Sequence, residues 1–130
     1  MNSSESGGRS ESGEAGDRAV VTAGDVRAEA LALPETTEKL AWGQPTFRVA
    51  GKIFASLGDD DTTMGVKCPK EERDELIAAE PEKFFIKHGH DDNYNFLRVR
   101  LSALEDTVEL HAILLDSWRQ AAPKRLTEPE

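Results

Sequence analysis

Residues 40–57 read "LAWGQPTFRVAGKIFASL", and the reading of this stretch decides the fold. Its β-branched and aromatic residues fall in two runs, "TFRVAG" and "KIFASLG", cut by Gly43, Pro45 and Gly51. Short runs of such residues between turn-formers read as strands joined by tight turns. Side chains alternate along a strand, which sets Phe47 and Val49 opposite Arg48, and Ile53, Ala55 and Leu57 opposite Lys52 and Phe54. The stretch contains no Asp or Glu, in a chain with 25 acidic and 16 basic residues. It is therefore either a spared functional surface or a hairpin whose inner face must be apolar.

Working outward, "TEKLAW" precedes the stretch, and "TTMGVKC" follows it across the charged turn "GDDD" at 58–61. Together these predict an antiparallel meander of three or four strands. Upstream, "TAGDVRAEALALPE" sets Thr22 and Asp25 as a capping box, places Val26, Ala30 and Leu33 on one helical stripe, and stops at Pro34. Downstream, Pro69 suits the first turn of a second helix, with Glu71 and Glu72 at its positive end and Leu76, Ile77 and Ala79 turned inward. Two more strands, "KFFIKH" and "NYNFLRVRL", flank "GHDD" as a second hairpin. The last helix is expected to open on the capping box Ser102–Glu105, to carry Leu104, Val108, His111, Leu115 and Trp118 on one stripe, with His111 a core or boundary histidine, and to stop before Pro123. The order helix, strands, helix, strands, helix, with tight turns between neighbouring strands, predicts a two-layer α+β domain: an antiparallel sheet of about five strands packed against helices.

The leader "NSSESGGRSESGEAGD" has no large apolar residue to offset the entropy of ordering it. The expected organisation is a disordered Ser/Gly/Glu-rich tail over 1–20 and one domain over 21–126. The leader lacks the apolar run of a secretory signal, and no apolar run is long enough to span a bilayer, so a cytoplasmic protein without a membrane partner is expected. The single cysteine, Cys68, reads as a small buried side chain rather than a reactive one. Net charge is −9, and the four acids and two arginines of the leader carry little of it, so any anionic partner must meet a local patch.

"HGHDD" at 88–92 gathers two imidazoles and two carboxylates, types that ligate divalent metals. Ligand type alone favours a solvated hairpin loop over a metal site, and "GDDD" lacks the spacing of a calcium loop. His111 has no nucleophile motif beside it, and no phosphate-binding loop, dinucleotide fingerprint or paired-histidine zinc helix is present. The sequence thus assigns no catalytic residue, metal or cofactor. The segregation of charge says more. The acid-free runs 41–58, 93–104 and 117–127 hold seven cations: Arg119, and Arg48, Lys52, Arg98, Arg100, Lys124 and Arg125, the six that we take as the candidate anion-contacting set. In "NYNFLRVR", Tyr94, Phe96, Arg98 and Arg100 share one face and Leu97, Val99 and Leu101 the other. A sheet face bearing arginines and aromatics can contact phosphates and stack on bases, or grip an acidic protein segment.

"WGQPTFRVAGKIFASL", "NFLRVRL" and "SWRQAAPKRL", in that order, resemble the MmcQ/YjbR family over residues 24–126. The resemblance implies a compact α+β domain with the sheet on one side and helices on the other. It also implies DNA as a partner, through a double-wing motif whose wings would be the hairpin at Val49–Lys52 and the one holding His88–Asp92. Trp42, Gly43, Pro45 and Phe47 would be family framework, with Gly and Pro setting the strand entry and the aromatics filling the core. Another protein is the alternative partner, through a chaperone-like use of the sheet or of an apolar groove. One departure from the winged pattern is charge: "HGHDD" and "GDDD" put acid where wing tips carry cations, which shifts any phosphate contact to the sheet or to "APKRL".

Overall fold

Helix α1 (Ala23–Leu31) opens the described part of the molecule, and strands β1 (Thr36–Ala41), β2 (Gln44–Val49), β3 (Lys52–Leu57) and β4 (Thr63–Lys67) follow in succession. Helix α2 (Lys70–Ala79), strands β5 (Phe84–Phe85) and β6 (Phe96–Arg100), and helices α3 (Thr107–Ala121) and α4 (Lys124–Thr127) complete it. This computed structural model describes residues 21–58 and 60–128, so the leader expected over 1–20 lies outside the described residues. The six strands form one antiparallel sheet in the order β1-β2-β3-β4-β6-β5. The sixth strand beyond the expected five is the two-residue β5, too short to register as a separate run.

Helices α1 and α3 cover one face of the sheet. Phe47, Val49, Ala55, Leu57, Met64, Val66, Leu97 and Val99 point into that layer and meet Val26, Ala30, Leu110, Leu114 and Trp118 in one buried core. Both halves of the α1 capping box form: Asp25 N donates to Thr22 Oγ1 at 3.2 Å, and Thr22 N donates to Asp25 Oδ2 at 3.0 Å. Val26, Ala30 and Leu33 are buried as the stripe requires.

Helix α3 departs from its expected start and phase. Residues 101–103 form a 3-10 turn, and Asp106 caps the helix by accepting from Glu109 N at 2.9 Å. The buried stripe is Leu110, Leu114, Ser117, Trp118 and Ala121, while Val108 is 74% exposed. The small side chains of Ser117 and Ala121 let the helix lie close on the sheet. Ser117 Oγ accepts from Lys67 N at 2.8 Å and donates to the Phe54 carbonyl at 2.5 Å. His111 is half-exposed and meets Glu29 Oε1 at 3.1 Å, linking α3 to α1 as a boundary histidine.

A bulge in β3 explains why Ser117 is needed and overturns the simple alternation expected there. Phe47 pairs with Ala55 but Arg48 with Ile53, so Phe54 is the extra residue. Phe54 is fully buried and Ile53 only partly, the reverse of the expected assignment. Directly opposed residues share a face, so Lys52, opposite Val49, projects on the helix side and Arg48, opposite Ile53, on the other. Ser117 takes the Phe54 carbonyl that the bulge removes from the ladder.

Candidate functional site on the open face of the sheet

The face away from α1 and α3 is hollow along its middle because its central residues are small. The row Thr46, Ser56, Gly65, Arg98 runs across β2, β3, β4 and β6. A Cβ on Gly65 would come within 2.9 Å of Ser56 Oγ and 3.6 Å of the Phe96 ring, so the ring settles over the glycine only because no side chain is there. The hollow is a cleft of about 330 Å³, with Ile53 and Phe96 among its apolar lining and Trp42, Tyr94 and His90 at its rim.

Trp42 reaches the rim through an unusual turn. Two-residue turns link β1 to β2 and β2 to β3, and both central residues of each have left-handed φ: Trp42 at 52° and Gly43 at 77°, Ala50 at 52° and Gly51 at 79°. This is the pattern of hairpin turns that match the twist of their strands, and Asn, Asp or Gly is its usual first residue. Gly51 serves the tight turn as expected. Trp42 does not fill the core: it is 89% exposed, because the turn projects its side chain beyond the sheet. Phe47 does occupy the core.

The opposite rim is the connection 86–95 between β5 and β6, longer than the expected "GHDD" tip. Its Asp91 is buried and is far from a solvated loop acid. Arg98 Nε donates to Asp91 Oδ2 at 2.6 Å and Arg98 Nη2 to Oδ1 at 3.1 Å; Lys87 N adds a bond of 2.9 Å, and His90 Nδ1 lies 2.7 Å from Oδ1. Burial pushes the Asp91 carboxyl up, but the Arg98, Lys87 and His90 hydrogen bonds outweigh it and hold the group well below the usual carboxylate range. From beneath, the buried Arg73 of α2 donates through Nη1 to the carbonyls of Tyr94 at 2.7 Å, Phe96 at 3.0 Å and Asp91 at 3.2 Å. The backbone of this rim is thus wrapped around a guanidinium.

The six candidate cations occupy different settings. Arg48, Arg98 and Arg100 lie on the open face. Arg48 Nε donates to Thr46 Oγ1 at 3.3 Å; Arg98 is held by Asp91; the Arg100 guanidinium stacks 4.1 Å from the Phe85 ring centre and donates to the carbonyls of Pro81 and Glu82. Lys52 is exposed on the helix side, and Lys124 is exposed at the start of α4. Arg125 pairs with Glu35 through two bonds of 2.8 Å. Phe96, Arg98 and Arg100 share one face of β6 and Leu97 and Val99 the other, as the alternation requires.

Cys68 is buried, and burial, reinforced by Glu72, pushes its thiol up, which suits a packing role. No helix among the described residues is long and apolar enough to cross a membrane.

The YjbR family profile matches residues 31–120, about seven-tenths of the chain. The chain belongs to the YjbR family. A Deinococcus radiodurans protein with a DUF419 domain has a similar crystal structure, at 17% identity and a TM-score of 0.66, the match covering 87% of this chain and 86% of that one. A Pseudomonas syringae protein is similar at 17% identity and a TM-score of 0.50, over 68% of this chain and 88% of that one. Likeness at such identity is likeness of fold, and it covers the same α+β architecture. No curated protein matches the chain.

Three parts of this YjbR site were not anticipated from sequence: the exposure of Trp42, the burial of Asp91, and Arg73. The last had a signal. Arg73, Leu76 and Ile77 fall at helical spacings of three and four, so Arg73 shares the inward stripe of α2.

Proposed function

We propose that this YjbR protein is a non-enzymatic DNA-binding module that takes single-stranded segments on the open face of its sheet. The observation that carries the reading is the pair of exposed aromatics at the rim, Trp42 at 89% and Tyr94 at 61% exposure, set on either side of a cleft on the same face as Arg48, Arg98 and Arg100. Bases stack on exposed rings, each contributing about 1–3 kcal/mol, a share of the affinity that does not come from cations. That suits a protein with a net charge of −9. Within the candidate set we assign the inner phosphate contact to Arg48, with Arg98 and Arg100 beside it. Lys52, Lys124 and Arg125 serve as outer contacts of a longer strand. In this reading the hairpins at 49–52 and 86–95 stand at the position of the two wings, and the protein works in the cytoplasm, where Cys68 stays a thiol.

Fluorescence anisotropy with labelled single-stranded and duplex DNA across a salt series tests this. We expect single strands to bind more tightly than duplex, and Trp42→Ala to weaken them about tenfold. Absence of binding at low salt would end the reading.

A protein-interaction module is the second reading, favoured by one observation: Arg98 and Arg125 already hold carboxylates of their own chain. An aromatic cleft beside the neutralised Arg98 also suits an apolar protein segment. A stoichiometric protein partner in a pull-down free of nucleic acid, competing with cleft substitutions, would favour it.

A further inference from the structure

Glu38 is the one acidic residue in the six strands, and it lies opposite Phe47, on the helix side, where it pairs with Arg27. The strands therefore send no carboxylate to the open face, in a chain of net charge −9. Asp91, which lines the cleft, comes from the 86–95 connection and is already held by Arg98. Register adds two cations to this acid-free face. Lys39 lies opposite Thr46 and Lys67 opposite Phe96, and directly opposed residues share a face. Lys39 stands beside Glu38 in sequence, but alternation sends the two to opposite sides.

Arg27, Lys83, Arg98 and Arg125 hold carboxylates of their own chain, and Arg100 rests on Phe85 and two carbonyls. Lys39, Arg48 and Lys67 have no ion pair among the described residues. Lys39 is exposed, Arg48 and Lys67 are half-buried, and Lys67 Nζ lies 5.9 Å from the centre of the Phe96 ring that lines the cleft. A half-buried cation without a counter-ion is stabilised when an anion is brought to it.

The same register fixes their layout. Arg48 on β2 and Lys67 on β4 stand two residues past Thr46 and Gly65, on the same side of the row Thr46, Ser56, Gly65. At the usual spacing of strands they are about 9–10 Å apart, with β3 between them. The line joining them crosses the strands and runs about 6–7 Å from the hollow row. A sugar–phosphate backbone laid along that line, entering past Lys39, leaves its bases over the hollow that Trp42 and Tyr94 flank.

We infer that Lys39, Arg48 and Lys67 form a phosphate track that leads a single strand across the β-strands of the open face and turns its bases into the cleft. This rests on the single-strand reading above and adds to it two lysines and the direction of the path.

The test measures binding of a labelled oligodeoxythymidylate to the full chain across a salt series, in the unaltered protein and in Lys39→Gln, Lys67→Gln, their double variant and Arg119→Gln. Arg119 is exposed on α3, behind the sheet, and serves as the control. For a single strand each phosphate contact contributes about 0.7 to the slope of log affinity against log salt. We expect each lysine substitution to lower the slope by about 0.7 and to weaken binding severalfold at low salt, the double variant to lower it by about 1.4, and Arg119→Gln to change neither. Binding that keeps its full slope in the double variant would overturn the track while leaving the single-strand reading in place. Failure of the unaltered chain to bind at low salt would overturn both. Tighter binding of labelled oligoglutamate than of the oligonucleotide, lost in the double variant, would give the track to an acidic protein segment and overturn the phosphate assignment.

Discussion

On the helix-covered face, Phe47, Val49, Leu57 and Val99 meet other apolar side chains, and each is almost wholly removed from water. On the opposite face of the same strands, a glycine and a serine lie at the centre, an ion pair at one side, and two aromatics stand out into solvent. Stability accounts for the first arrangement. It does not account for a tryptophan placed at a left-handed turn position that Asn or Gly would occupy with less strain, nor for an empty row through the middle of a sheet. In the function proposed above, that tryptophan and that hollow row serve a contact outside the chain.

The sharpest way to test this contrast is to remove one ring from each face. Phe47→Ala should cost about 3–5 kcal/mol of unfolding free energy, the range for a fully buried aromatic, read from urea or thermal melts. Arg73→Ala should cost less, about 2–3 kcal/mol, because it strips a buried donor from two loop carbonyls, of Asp91 and Tyr94, and from that of Phe96 at the start of β6. Its mark should be local: hydrogen exchange should accelerate in 86–95 and stay slow in β2 and β3.

The acid limb of stability provides a third check. Asp91 has a depressed folded-state pKa, so its contribution is complete above the unfolded value of about 4 and is lost as pH falls through the folded one. Asp91→Asn should flatten the fall in stability below about pH 4 relative to the unaltered chain, while lowering stability near neutrality. If the two melting curves keep the same spacing at all pH values, the Arg98–Asp91 pair does not fasten the rim.

The smallest expected effect is also the most diagnostic. Trp42→Asn should raise stability by about 0.5–1 kcal/mol, since Asn fits the left-handed turn, and should weaken single-strand binding about tenfold. The matching change Ala50→Asn relieves the same backbone on the far turn and should stabilise without touching binding. Equal loss of binding from both would show that the two turns do not differ in role.

Most of the architecture was legible because it is written in local terms. The Thr22–Asp25 box, the Gly51 turn and the alternation in "FLRVR" each depend on residues a few positions apart, and each formed as read. The misreadings arise where a distant partner decides. One extra residue in β3 exchanged the faces of Ile53 and Phe54 and carried Lys52 away from Arg48, a shift stabilised by Ser117, 63 positions downstream of Phe54. The family resemblance implies Trp42 in the core, yet its turn points it outward. Asp91 looks like a solvated acid until Arg98, seven residues on, folds back onto it. The cleft's composition was partly visible in the aromatics and arginines of β6; its hollow shape was not, since Ser56 and Gly65 matter by what they lack.

Arg73 grips the 86–95 connection by main-chain oxygens, which every amino acid supplies. The loop is therefore templated from outside, while the identities of Asn93 and Tyr94, unlike that of Asp92, which accepts from Gly89 N at 2.6 Å, stay open to change. A display library randomised at Asn93 and Tyr94, with Arg73, Asp91, Asp92 and Arg98 kept, should yield folded variants at high frequency and new binding preferences among them.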